Sequence, residues 1–218
     1  MAEIWIYDVI GEGFFEEGTT AKKVRDELAS IGSEADIEVH INSAGGDVFE
    51  AVAIKTLLEQ AENAVNVQVD GVAASAASVI MLAGNSISMA EGSMVMIHEP
   101  WGLTVGDEAD HLAQAQALGK VAENLAAMYA QRSQKDDDEI RELMRAETWL
   151  TSSDAIELGL VDSITDTPPR AFKIPAEFGY KNAPKSAKMP TKNPPKPTSL
   201  SVSAMKRRIE LTRRAARL

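Results

Sequence analysis

The 218-residue chain contains no cysteine. Disulfides, thiolate metal sites and a cysteine nucleophile are therefore excluded. Histidine is limited to three residues, so no dedicated metal site is expected, and no motif calls for a cofactor. Proline is almost missing from the first 167 residues, where Pro100 stands alone. No apolar run approaches the ~20 residues of a membrane span. The longest, Gly71 to Gly84, is short and rich in alanine. Met1-Ala2-Glu3 is acidic, and Asp8 interrupts the first apolar stretch, unlike the basic start and apolar run of an export signal. A cytoplasmic protein without membrane contact is the expectation.

What is present divides the chain. Residues 1–167 carry 9 Lys and Arg against 31 Asp and Glu, whereas residues 168–218 carry 13 against 2. The remaining eight prolines lie in that second part. The expected organisation is an acidic domain over 1–167, a Pro- and Lys-rich linker over 168–200 and a basic amphipathic helix or tail over 201–218. The acidic domain repels nucleic acid and anionic membranes, while the basic tail is suited to a polyanion.

Within the domain, strand and helix patterns alternate. Ile4 to Val9 and Ile37 to Ile41 read as strands, as do the alternating Val65, Val67 and Val69. Ser86 to Met89 and Met94 to Ile97 read as two more, joined through Glu91-Gly92. Helices are expected over Thr19 to Ile31, from an Asp47 cap to Ala61, over Val72 to Ala83, Glu108 to Gln131 and Asp136 to Arg145. A last short helix, capped by Ser152 or Ser153, ends at Gly159. Such alternation predicts an α/β fold with a helix-covered sheet.

Three places in this pattern bear on chemistry. Asn42-Ser43-Ala44-Gly45-Gly46 joins a strand to a helix, and its two glycines leave backbone amides uncovered for an anion or oxyanion. It lacks the Lys-Ser/Thr of a phosphate-binding loop, and a plain strand-to-helix turn reads the same way. Gly71-Val72-Ala73-Ala74-Ser75 makes a second such junction, where a serine suits either a nucleophile or tight packing. Ser78, one turn deeper, reads as buried. His98, after Met94-Val95-Met96-Ile97, stands at a strand end, a position suited to acid–base work or to a structural hydrogen bond. His40, His111 and the methionines 81, 89, 94 and 96 read as structural.

Taken in order, Ile41 to Gly46, Gly71 to Ala76, Met96 to Pro100 and Gly159-Leu160-Val161-Asp162 resemble the Clp-type serine peptidases over roughly residues 1–165. Within that family the chain looks most like the phage-associated branch. The resemblance implies Ser75 as nucleophile, His98 as general base, and the amides of Gly46 and Ala76 as oxyanion hole. Ala44 replaces a usual proline, and Ala76 a common methionine. The family's acid is an Asp two residues before an aromatic; here Glu147 precedes Trp149, so Glu147 is the implied third member, with Asp154 and Asp162 as rivals.

The resemblance further implies a crotonase-like core of repeated β-β-α units and a protruding strand-helix handle over Trp101 to Arg132. It implies ring-shaped homo-oligomers, in two stacked rings, and an extended polypeptide substrate lying along Gly45, Gly46, Trp101 and Gly102. An ATP-driven unfoldase is a separate partner if one is used. The phage branch implies capsid or scaffold processing during head maturation, and the basic tail targeting of the shell or contact with DNA. Two other readings stand beside this one: an acyl-thioester hydratase or isomerase of the same fold, and a catalytically weak assembly protein.

Overall fold

Alternating β-branched residues build the centre. Ile37, Val39 and Ile41, with Val65, Val67 and Val69, are all within 1% of full burial. A sheet covered on both faces requires such residues in its interior strands. The computed structural model describes residues 1–12, 18–32, 35–172 and 174–184. The remainder of the expected linker and the expected basic helix at 201–218 lie outside the described residues.

Among the described residues, seven strands form one sheet: β1 (Ala2–Ile6), β2 (Ile37–Ser43), β3 (Val65–Ala74), β4 (Ser86–Ala90), β5 (Met94–Ile97), β6 (Thr148–Thr151) and β7 (Ser163–Thr165). The order β1-β2-β3-β4-β7 is parallel throughout. The crossovers are α1 (Ala21–Ile31), α2 (Val48–Glu59) and α3 (Ala76–Met81); α4 (Glu108–Ser133), α5 (Asp137–Arg145) and α6 (Ser152–Leu158) follow. Strand β3 is the longest, and its two halves have different neighbours. Asn66 to Val69 pair with β4, while Val72 to Ala74 pair in parallel with Met94 to Met96 of β5. Strand β5 then pairs antiparallel with β6.

Helix starts follow their side chains. Thr20 accepts from the Lys23 amide, and the Asp47 carboxylate accepts from the amides of Phe49 and Glu50. Asp107 and Asp110 form a reciprocal capping box at α4. The N-terminal half of α4, through Val121, buries no residue fully, whereas Ala122, Leu125, Ala126, Tyr129 and Ala130 pack inward. The helix expected in the Trp101–Arg132 handle is therefore present. No strand accompanies it between residues 98 and 107 among the described residues.

The expected helix over Val72 to Ala83 is corrected. Its first three residues are strand, because their backbone groups pair with β5, and the helix spans only Ala76–Met81. The last short helix is capped by Thr151, whose hydroxyl accepts from the Asp154 amide, and not by either serine. Gly159 ends it in the left-handed conformation. Strands β6 and β7 carry too few residues to show a period in sequence. The expected linker start is also corrected. Residues 168–172 and 174–184 belong to the same compact unit as the sheet. Arg170 N–H donates to the Asp70 carbonyl at 2.7 Å, and the Asn182 side chain to the Ala146 carbonyl at 2.8 Å.

Ser78 is fully buried, as its sequence position indicates, and braces the junction between β3 and α3. Its hydroxyl bonds the Ser75 carbonyl at 2.6 Å and the Tyr129 hydroxyl at 2.7 Å. Ser78→Ala strands the buried Tyr129 hydroxyl without this partner, and we expect a loss of about 1–3 kcal/mol in stability. A urea unfolding midpoint unchanged from the parent protein would remove Ser78 from this bracing role.

Candidate active site

Strand register brings the candidate residues to one edge. β3 and β5 run in parallel, so their C-terminal ends lie side by side. The last pair is Ala74 with Met96, and the Ser75 amide extends the ladder by donating to the Met96 carbonyl at 2.9 Å. Ser75 and His98 are the next residues to leave the two strands. β6 runs the other way, so its beginning meets the end of β5: Ile97 faces Thr148. His98 and Glu147 therefore step off that pair together.

Ser75 holds φ 54° and ψ −123°, a backbone conformation that a residue with a Cβ seldom adopts. It occupies the cap position of α3 without capping it. Its Oγ lies 2.7 Å from His98 Nε2. The turn thus aims the hydroxyl at the imidazole. Burial holds the His98 pKa below its ordinary value, with the Glu147 carboxylate opposing by favouring the cation. His98 is neutral near pH 7, as a base must be. The segment after it is tied down where the Glu99 amide donates to the Met144 carbonyl and the Glu99 carboxylate pairs with Arg141 at 3.1 Å.

Glu147 itself has φ 49°. No hydrogen bond joins its carboxylate to His98 among the described residues. One oxygen accepts from Trp149 Nε1 at 3.3 Å and from the Asn182 amide at 2.6 Å; the other accepts from the Lys181 amide at 2.8 Å. The rivals are engaged elsewhere. Asp154 completes the capping box of α6 by accepting from the Thr151 amide, and Asp162 accepts from the Ile87 amide and pairs with Arg132 at 2.6 Å.

The glycine turn packs against the serine. Gly45 has φ +99°, and a Cβ there would come within 2.8 Å of Ser75 Cβ and 3.1 Å of the Ala76 nitrogen. The turn is held by Ser43, whose hydroxyl donates to the Asp8 carbonyl and accepts from the Gly45 amide. The amides of Gly46 and Ala76 meet no protein acceptor among the described residues. Gly46 is exposed and Ala76 nearly buried. Trp101 and Gly102 are exposed in the segment before α4. Among the described residues, no group of three or more His, Asp or Glu side chains is placed to hold a metal. None of their helices is long and apolar enough to cross a membrane.

Other residues near the site are not legible from motifs. Tyr180 sets its ring edge-on to His98, with centroids 5.3 Å apart, and donates its hydroxyl to the Ala44 carbonyl at 2.6 Å. Burial is the main reason its pKa is pushed up to about 12. Trp149, Phe172 and Tyr180 pack on Val72, Ala74 and Met96. A signal does exist: Phe172, Phe178 and Tyr180 are aromatic residues in a stretch otherwise composed like a solvated linker. His40, read as structural, hydrogen-bonds the buried Asp70 at 2.9 Å.

The Clp protease family model matches residues 17–168. The chain is 32% identical over 139 residues to the ATP-dependent Clp protease proteolytic subunit 1 of Salinibacter ruber, covering 63% of this chain and 60% of that protein. It is 31% identical over 139 residues to the ATP-dependent Clp protease proteolytic subunit of Bacteroides thetaiotaomicron, covering 63% of each. A third relative, subunit 1 from Prochlorococcus marinus, is 29% identical over 155 residues, with 69% of this chain and 80% of the relative covered. The matches thus span less than two thirds of the first two relatives. Ser75, His98 and Glu147 lie inside the region matched by the family model; Tyr180 lies beyond it.

Two outcomes follow from the geometry. Labelling of Ser75 by a fluorophosphonate should rise with pH as His98 loses its proton, with a midpoint below the ordinary imidazole value. Glu147→Gln should move that midpoint lower still, because it removes the charge that favours the cation. A midpoint unmoved or raised in this variant would separate Glu147 from His98 electrostatically. Gly45→Ala drives a methyl toward Ser75 and the Ala76 amide. It should slow labelling by about 10²–10³, the scale of a lost oxyanion donor; an unchanged rate would show that the turn yields freely.

Proposed function

The chain belongs to the Clp protease family, and from that premise we propose that it is a serine endopeptidase acting on extended polypeptides. The observation that carries this reading is the 2.7 Å contact from Ser75 Oγ to His98 Nε2, made at a turn whose backbone favours a projecting nucleophile.

Ser75 Oγ attacks the scissile carbonyl carbon while His98 Nε2 accepts its proton. The carbonyl π electrons move to oxygen, and the amides of Gly46 and Ala76 stabilise that oxyanion. Collapse expels the amine, which receives the proton from His98, and leaves an acyl group on Ser75. Water, deprotonated by His98, releases the acid. Glu147 is the proposed third member, stabilising the imidazolium through its charge. The antiparallel register of β5 and β6, which brings residues 98 and 147 to the same end, supports this assignment.

In the same reading the paired strands and following helices are a crotonase-like core, and substrate adds along Gly45 and Gly46 toward Trp101 and Gly102. The protein assembles as a homo-oligomeric ring. Exposed Trp101, Leu103, Val105 and Leu112, beside the unburied half of α4, support a contact between subunits there. The proposed substrates are capsid or scaffold polypeptides of an assembling phage head. The motif resemblance and the basic composition of residues 168–218 support that choice. An unfoldase and nucleic acid remain separate, proposed partners of the ring and the tail.

Ser75→Ala should abolish peptide cleavage and fluorophosphonate labelling while leaving the solution mass unchanged. Cleavage at the parent rate in this variant would sink the peptidase assignment. Tight acyl-thioester binding without labelling of the parent protein would favour the hydratase reading instead. Glu147→Gln should lower kcat by about 10² or more with little change in KM, the pattern of a group acting in the transition state. Steady-state kinetics on a fluorogenic peptide would measure both constants.

A further inference from the structure

The chain crosses its own candidate site after the region matched by the family model ends. Residues 168–172 are anchored at the end of β2 and the middle of β3. The Arg170 amide donates to the Asp70 carbonyl, and Asn42 Nδ2 donates to the Ala171 carbonyl at 3.3 Å. The Arg170 guanidinium lies 5.4 Å from the Trp5 ring centre, and its Nε is 4.0 Å from Asp70. Gly71 makes this approach possible, since a Cβ there would sit 2.5 Å from the Arg170 carbonyl oxygen. Within residues 174–184, Tyr180 reaches the half-buried His98. Tyr180 contributes its ring to His98 and its hydroxyl to the Ala44 carbonyl, and Asn182 binds the Ala146 and Glu147 carbonyls.

We propose that the segment 174–184 is an intramolecular plug, with Tyr180 seated on the Ser75–His98 pair and the amides of Lys181 and Asn182 holding the Glu147 carboxylate, so that polypeptide substrate gains the site only when the plug leaves. The inference rests on the peptidase reading. Three features argue for blocking over support. Tyr180 takes the Ala44 carbonyl, a backbone acceptor on the turn where substrate would lie. The ring covers the imidazole edge-on, where an incoming peptide must fit. The carboxylate proposed to pair with the imidazole is spent on the amides of the plug and Trp149 Nε1. What the segment presents to serine and imidazole is a phenol, which offers no carbonyl carbon to attack. The plug is therefore not consumed by the chemistry it covers. Its contacts are noncovalent, and an extended peptide competes for the same acceptor and the same apolar surface of Val72, Ala74 and Met96.

The test compares fluorophosphonate labelling rates at residue 75 in the full chain, its Tyr180→Ala and Asn182→Asp variants, and a Ser75→Ala background. Tyr180→Ala removes the ring. Asn182→Asp leaves the ring but sets a carboxylate against the Ala146 and Glu147 carbonyls and the Glu147 carboxylate. A plug that is closed nine parts in ten withholds the site about tenfold, so both variants should label about tenfold faster than the parent. A synthetic peptide of residues 168–184 should slow the Tyr180→Ala variant again. Labelling of both variants at the parent rate, or slower, would overturn the plug while leaving the peptidase reading intact, because the parent labels above background. Absence of labelling above background in every variant would overturn the peptidase reading and the plug with it.

Discussion

The site depends on the divided pairing of β3. Ten residues long, it pairs with β4 through its first half and with β5 through its second. Parallel pairing with β5 puts the exits of both strands on one edge, and the ladder continues one step further through the Ser75 amide. A change of one residue in that register would turn Ser75 or His98 to the opposite face, since strand side chains alternate. Antiparallel pairing of β5 with β6 adds Glu147 at the same edge by the same logic. Three residues separated by 23 and 49 positions thus converge through backbone hydrogen bonds. No contact between their side chains is needed to bring them there.

Strain is concentrated at that edge. Ser75, Gln134 and Glu147 are the non-glycine residues with positive φ among those described, and two of the three belong to the candidate site. The surrounding structure over-determines both. Ser75 is clamped through its amide to Met96 and through its carbonyl to Ser78, while Glu147 sits between the end of α5 and the first ladder bond of β6. The apolar interior carries the cost: Val72, Ala73, Ala74, Met96 and Ile97 are all within 1% of full burial. Burial also lowers the basicity of His98. The same packing therefore supplies both the geometry and a neutral imidazole.

Legibility in sequence follows the range of the interactions. The Asp47 cap, the long α4 and the valine alternation of β3 are readable because each is local, with its cause within four residues of its effect. The Val72–Ala74 stretch reads as helix and is strand. Its alanines favour a helix in isolation, and only pairing with Met94–Met96 makes it a strand. β6 and β7 escape a sequence reading because four and three residues show no period. Residues 168–184 read as linker from their prolines and lysines, although Phe172, Phe178 and Tyr180 argue otherwise. Composition averages over a segment, whereas docking depends on a few apolar side chains meeting a matching surface.

The amino-acid sequence alone determined the alternating α/β class, the charge division near residue 167 and the motif set containing Ser75, His98 and Glu147. Each is carried by residue type and spacing along the chain. Tertiary structure alone decided that the serine hydroxyl meets the imidazole, that the Glu147 carboxylate is taken by the amides of Lys181 and Asn182, and that Tyr180 sets its ring edge-on to His98. Those outcomes depend on strand register and on where a later segment docks. Both are set by the free energy of the whole packed domain, which no local pattern encodes.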